Sequence, residues 1–312
     1  MARYLVTGGA GFIGSNIAEA LVKRGERVVV LDNLSTGYEK NIEHIRKDLT
    51  FVRGDIRDAA AVRSALAGVD YVIHQAALAS VPRSIEDPVL VNDVNVAGTV
   101  TVLEESRRAG VKRLVYAASS SAYGDTEVLP KIESMPPRPL SPYAASKLTG
   151  EYYCSVYSRV YGLSTVSLRY FNIFGPRQDP KSQYAAVIPI FISNVLAGIP
   201  PTIYGDGEQS RDFTFIENVV EANIRGAHCE AARGETVNIA CGTRYTLNEL
   251  FRQIRDTVGA RIEARYDSPR PGDVRHSHAD ISAAGRLIGY SVIVPFEEGL
   301  RRTIEWYRHA RA

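Results

Sequence analysis

The chain has 312 residues, 45% of them hydrophobic, with 37 Lys and Arg against 35 Asp and Glu and a formal net charge of +2. That length suits one large α/β unit or two smaller ones sharing a cleft, and evenly mixed charge excludes the basic blocks that bind nucleic acid or acidic membranes. Three cysteines, Cys154, Cys229 and Cys241, stand far apart without a CxxC pair, which argues against a disulfide framework or a structural zinc site.

A first strand is expected at Tyr4–Thr7, running straight into glycines with no apolar leader core before it. No apolar run approaches the ~20 residues of a membrane span, so a cytoplasmic protein is expected. Further short β-branched runs follow at Val28–Asp32, Thr50–Arg53, Tyr71–His74, Leu114–Ala118 and Thr165–Leu168. Between them, apolar spacing predicts helices at Ile13–Arg24, Ala59–Leu66, Val89–Arg108 and Pro142–Val160, the second with Asp58 placed to cap it. This alternation predicts the α/β class with a doubly wound parallel sheet. After Phe174-Gly175-Pro176-Arg177 the regularity falls, and Gly and Pro recur at Gly198, Pro200, Pro201, Gly205 and Gly207. The expected division is a dinucleotide-binding domain over 1–174 and a smaller α/β substrate lobe over 175–312, with some segments interleaved and a cleft between them.

Gly8-Gly9-Ala10-Gly11-Phe12-Ile13-Gly14 comes directly after the first strand and opens the first helix, where a pyrophosphate needs backbone N–H groups and a helix N-terminus. Asp32 ends the second strand at the distance where a carboxylate accepts from a ribose 2′-OH and repels a 2′-phosphate, favouring NAD over NADP. Its alternative is a turn cap before Asn33. Asp55 with Ile56 is placed to hold the adenine edge, although Asp55-Ile56-Arg57-Asp58 equally suits a capping segment.

Tyr143 and Lys147 are one turn apart on a predicted helix face. A phenol titrates near 10 and is a poor base at neutrality; a neighbouring ammonium favours the phenolate, and a cationic nicotinamide pushes the same way. Ser119-Ser120-Ser121 follows the strand Leu114–Ala118 at its carboxyl end, the edge where open α/β sheets hold ligands. A serine hydroxyl there suits hydrogen bonding to a reacting oxygen.

Together with His74-Gln75-Ala76-Ala77, Tyr123-Gly124 and Leu168-Arg169-Tyr170-Phe171-Asn172, these residues make the chain resemble the extended short-chain dehydrogenases/reductases, specifically the nucleotide-sugar 4-epimerases. Ser80-Val81-Pro82-Arg83-Ser84, the stretch Gln183–Pro189 containing Val187, and Gly272–Ser277 are most similar to the UDP-N-acetylglucosamine 4-epimerase branch. The resemblance implies a Rossmann sheet, tightly held NAD and a UDP-sugar substrate. It implies that Tyr143 is the base on the sugar 4-OH, that Lys147 binds the nicotinamide ribose, and that Ser119, with Ser120 close enough to share the role, assists. It adds Gln75, Ala76, Ala77 and Tyr170 to the cofactor site. On the substrate side it implies Ser80, Arg83 and Val187, Asn172 near the diphosphate, Arg211 and Arg270 on the phosphates, Asp273 on the ribose, and Ser277 beside the C2 substituent. Guanidinium groups suit the phosphates because they bind oxygens bidentately.

Three rival functions remain at this point. A dehydratase or decarboxylase of this family needs further acid/base groups beside the serine, where this chain has Ser120-Ser121 and no carboxylate. A UDP-uronic acid 4-epimerase is open, since Arg83 could meet a sugar carboxylate. A non-catalytic NAD sensor has no reason to keep the Tyr, Lys and Ser set. His276 and His278, two residues apart without further ligands, do not predict a metal. The long helices Val89–Arg108 and Pro142–Val160 carry more apolar positions than one sheet face covers, which predicts a homodimer with Tyr152, Tyr153 and Val156 in its interface, as the resemblance also implies.

Overall fold

A computed structural model describes residues 1–180, 186–269 and 274–310. Its centre is a parallel sheet of β1 (Arg3–Thr7), β2 (Arg27–Asp32), β3 (Leu49–Arg53), β4 (Tyr71–His74), β5 (Arg113–Ser119), β6 (Thr165–Tyr170) and β7 (Glu235–Ile239). The order across the sheet is β7-β6-β5-β4-β1-β2-β3. Chain direction across the sheet therefore reverses between β1 and β4. The crevice outside the carboxyl ends of these two strands is where doubly wound sheets bind ligands. Apolar residues pack on both faces, as a parallel sheet covered on both sides requires.

The predicted helices are present as α1 (Phe12–Lys23), α2 (Ala59–Ala65), a run from Pro88 to Arg108, and α6 (Pro142–Tyr161), with a short α3 (Val81–Glu86) before that run. The run comprises α4 (Pro88–Asn92), a π-helical turn at Asp93–Ala97 and α5 (Gly98–Arg108). The Asp58 carboxylate accepts from Ala60 and Ala61 N–H and starts α2. Ser141 accepts from Ala144 N–H and Pro142 occupies the first turn, so α6 begins one residue before Tyr143; Gly162, at φ +73°, ends it.

The central sheet also goes beyond the predicted strands. Strand β6 continues through Tyr170 because that residue is paired on both sides, with Ser119 of β5 and Ile239 of β7. Strand β7 comes from the second half of the chain and lies beside β6, so residues 235–239 belong to the main sheet. The rest of the second half supplies α7 (Val187–Leu196), α8 (Ile216–His228), α9 (Leu247–Val258), α10 (Ser282–Ile288) and α11 (Phe296–His309). It also supplies short pairings of 202–204 with 265–267 and of 210–211 with 245–246. Among the described residues, no helix is long and apolar enough to cross a membrane.

Candidate active site

The glycine loop takes its shape from backbone crowding. Gly8 has φ +67°, and a Cβ on it would sit 2.7 Å from the Ala76 backbone nitrogen; one on Gly14 would sit 2.2 Å from the Gly8 carbonyl oxygen. Gly11 is the N-cap of α1 and offers no side-chain cap, which leaves the first N–H groups of the helix to a ligand. The loop opens on a cleft of about 260 Å³ lined by Gly8, Gly11, Phe12, Ile13 and Gly14. Asp32, Asn33, Asp55 and Ile56 form one side, and Gln75, Ala76 and Ala77 another. Ser35, Thr36 and Gly37 also line it; sequence reasoning passed over them, although a small polar turn directly after Asp32 was an available signal.

The Asp32 carboxylate accepts from Ala10 N–H at 2.9 Å and Leu34 N–H at 2.8 Å. It caps the turn, and with about four lone-pair sites it keeps capacity for a ribose hydroxyl. Asp55 is engaged by Arg57 and by Asn33, whose Nδ2 donates to it at 2.9 Å. Hydrogen bonding to Arg57 is the main influence holding its carboxyl well below the usual range. Gln75 Nε2 donates to the Tyr170 hydroxyl at 2.9 Å and to Asn223 Oδ1 at 3.0 Å, while its Oε1 is buried with no protein partner. A glycine cradle, an uncapped helix start, a carboxylate at the end of β2 and an unpartnered buried acceptor together fit a dinucleotide.

On α6 the Lys147 ammonium is buried, donates to the Ala117 carbonyl of β5 at 2.8 Å and lies 5.0 Å from the Tyr116 ring centre. Ser119 is the last residue of β5, and its Oγ lies 2.8 Å from Ser121 Oγ. Of the two serines proposed for catalysis, Ser119 is the one that acts on the Tyr143 phenol, whereas Ser120 begins the 3₁₀ turn that follows. Burial raises the Tyr143 phenol and the Ser119 hydroxyl partly opposes it. Burial also pulls Lys147 down to about 8, against the charge-favouring influence of Cys154 and Glu151. In the chain itself, then, burial outweighs the depression of Tyr143 that the i, i+4 spacing had suggested.

Beneath this pair, His74 is fully buried between Thr7 and Thr99. Thr99 Oγ1 gives its one proton to the Asn95 carbonyl at 2.6 Å, so His74 Nε2 must be the donor toward Thr99 and Nδ1 the acceptor from Thr7. The neutral ring thereby ties the residue before Gly8 to α5.

A second cleft, of about 720 Å³, is lined by Asn172, Val187 and Arg211 together with Tyr204, Gln209 and Phe213. The last three were not singled out from sequence, because aromatic and amide residues in loops carry no spacing signal. Asn172, at φ +40°, donates through Nδ2 to Ser277 Oγ at 3.3 Å. Ser80 caps α3 by accepting from Arg83 N–H, and Arg83 is half-buried. Arg270 and Asp273 lie outside the described residues. His276 is hydrogen-bonded to Ser210 and His278 to the Gly242 carbonyl. Among the described residues, no group of three or more His, Cys, Asp or Glu is placed to hold a metal.

Residues 4–240 match the profile of the NAD dependent epimerase/dehydratase family. The chain belongs to that family. The match bears out the resemblance to extended short-chain dehydrogenases/reductases of the nucleotide-sugar epimerase type, the expectation of an enzyme, and NAD as its cofactor. Among relatives of this family member is UDP-glucose 4-epimerase of Mycolicibacterium smegmatis, 39% identical over 98% of this chain and 99% of that one. A solved UDP-N-acetylglucosamine 4-epimerase of Methanobrevibacter ruminantium, in complex with UDP-N-acetylmuramic acid, superposes with a TM-score of 0.95 at 41% identity, covering 99% of each chain. The UDP-glucose 4-epimerase of Thermus thermophilus, solved as a complex with NAD, superposes with a TM-score of 0.90 at 42% identity, again over 99% of each chain.

Proposed function

We propose that the protein interconverts C4-epimeric UDP-hexoses, UDP-GlcNAc with UDP-GalNAc and UDP-Glc with UDP-Gal, through a transient 4-keto sugar. The observation that carries the reading is the docking of α6 on the carboxyl end of β5, where Lys147 donates to the Ala117 carbonyl at 2.8 Å, two residues before Ser119 and one helical turn from Tyr143. NAD bound in the dinucleotide cleft would supply the hydride acceptor and donor for sugar C4. Tyr143 accepts the 4-OH proton and gives it back, Ser119 orients that hydroxyl, and Lys147 binds the nicotinamide ribose. Ser120 and Ser121 supply no carboxylate for loss of water or carbon dioxide, which favours return of the hydrogen to the same carbon.

Asn172, Val187 and Arg211 are assigned to the sugar nucleotide, with Arg270 and Asp273 proposed on its phosphates and ribose and Ser80 and Arg83 at its rim. Gly8, Gly11, Phe12, Ile13, Gly14, Asp32, Asn33, Asp55, Ile56, Gln75, Ala76, Ala77 and Tyr170 are assigned to NAD. The deciding assay incubates the purified protein with UDP-glucose, UDP-N-acetylglucosamine and their uronic acids and resolves the products by NMR. Epimers of the first two, formed with little or no added NAD, are expected. Stoichiometric consumption of NAD with release of a keto sugar would overturn the reading.

A further inference from the structure

The segment from Asn33 to Ile45 is a thin partition. Ser35, Thr36 and Gly37 line the dinucleotide cleft, while Tyr38, Lys40 and His44 line a separate cleft of about 870 Å³ on the other side. It contains only the 3₁₀ turns Glu39–Asn41 and Glu43–Ile45, so no sheet or long helix holds it in place. Tyr38 N–H and Asn41 Nδ2 both donate to the Ala10 carbonyl, at 3.0 and 2.9 Å, tying the partition to the glycine loop.

The remaining ties converge on one side chain. Arg177 follows the Ile173–Phe174 strand and has φ +72°, a left-handed backbone that a residue other than glycine adopts only at a cost. Its guanidinium donates to the Asn41 carbonyl at 3.1 Å, to Asn16 Oδ1 at 2.8 Å and to the Glu19 carboxylate. Asn41 belongs to the partition, and Asn16 and Glu19 to the helix whose first turn faces the cofactor. One cation, only 13% exposed, thus joins three segments, two of which wall the cofactor cleft. Burial would raise the Glu19 carboxyl, but Lys23, Arg177 and His44 together hold it down at about 2, so the pair stays ionised through the neutral range. Tyr38 adds a parallel tie, its hydroxyl donating to Asp179 Oδ2 at 3.1 Å.

We infer that Arg177 is a clasp that holds the partition against α1 and so slows the release of NAD. It is a positioning residue. The dinucleotide leaves when the partition and the start of α1 separate, and a guanidinium bonded to both sets part of the cost of that opening.

Arg177→Met keeps the length of the side-chain stem and removes every donor. Bound NAD per purified chain is measured after dialysis, and the dissociation rate is measured by displacement with NADH, followed by its fluorescence. Release about tenfold faster than in the parent is expected, the scale of losing charge-assisted contacts. Arg177→Lys, which keeps the charge beside Glu19 but cannot bond all three acceptors, should fall between the two, a graded rescue that simple loosening of the fold does not produce. A folded Arg177→Met protein that releases NAD at the parent rate overturns the inference. If that variant does not fold, Tyr38→Phe and Glu19→Gln decide: faster release from both supports the clasp, and parental release from both removes it.

Discussion

At the scale of single residues, Tyr143 is the proton acceptor of the proposed reaction, and burial raises its phenol. Tyr143→Phe should leave folding and NAD binding intact and lower turnover by ~10²–10⁴-fold, the usual loss for a general base; steady-state kinetics on UDP-glucose with a bound-NAD measurement check both. His74 gives a pH signature of another kind. Burial is the larger cause and the Lys147 charge the smaller in pulling its ring down to about 3 from an ordinary value near 6.5. Between these values the unfolded chain binds a proton that the folded one does not, so stability falls as pH drops, by up to ~1.4 kcal/mol per unit from this residue. Urea unfolding of His74→Asn should show a flatter stability profile between pH 6.5 and the acid limit of folding, and an unchanged slope would show that His74 does not titrate this way. At Ser277, a small side chain bonded to Asn172, substitution by Tyr should cost at least ~1–3 kcal/mol in kcat/KM for N-acetylated sugars and much less for UDP-glucose. Equal losses on both would mean general damage to the site.

At the scale of elements, α6 must hold a fixed position against β5, because one carries Tyr143 and Lys147 and the other ends in Ser119. A buried ion pair fixes it: Arg169 of β6 donates to both oxygens of Glu151 on α6, at 3.0 and 2.7 Å. Its guanidinium lies 4.7 Å from the Tyr123 ring, just after the serine turn. Burial pushes the Glu151 carboxyl up, while Arg169 and Lys147 pull the other way. Removing one member strands a buried charge, so Glu151→Gln should lose about 3–5 kcal/mol in denaturant unfolding. Exchanging both residues for apolar ones of similar volume should cost less. Equal costs for the single and double exchanges would show that packing, not charge pairing, holds the helix. These links join residues 151 and 169 and residues 74 and 99, and no local pattern in the sequence marks them.

At the scale of the whole molecule, α6 presents an unburied apolar stripe: Tyr152, Val156 and Val160 are 57%, 46% and 67% exposed, and Tyr153 stands beside them. Four-residue spacing puts Tyr152, Val156 and Val160 on one helix face. A surface of this kind is where soluble proteins meet partners, and we propose that two copies cover it as a homodimer. Light scattering at micromolar concentration should give twice the chain mass, and Val156→Glu should halve it. A parent chain that is already monomeric would leave the stripe without this role.

The glycine loop, the cap at Asp58 and the Tyr143/Lys147 spacing were all readable from the sequence, because each is decided by backbone angles or helical periodicity within a few residues. So was the parallel α/β class, which follows from the order of strand and helix patterns. Strand β7 was not, since Glu235–Ile239 becomes a sheet strand only by pairing with β6, some 70 residues earlier. Nor was the bond of Lys147 to the Ala117 carbonyl, the direction in which burial moves the Tyr143 phenol, or the three-way bonding of Arg177. Each depends on which distant segments exclude water from one another, a property of the packed chain that local spacing does not encode.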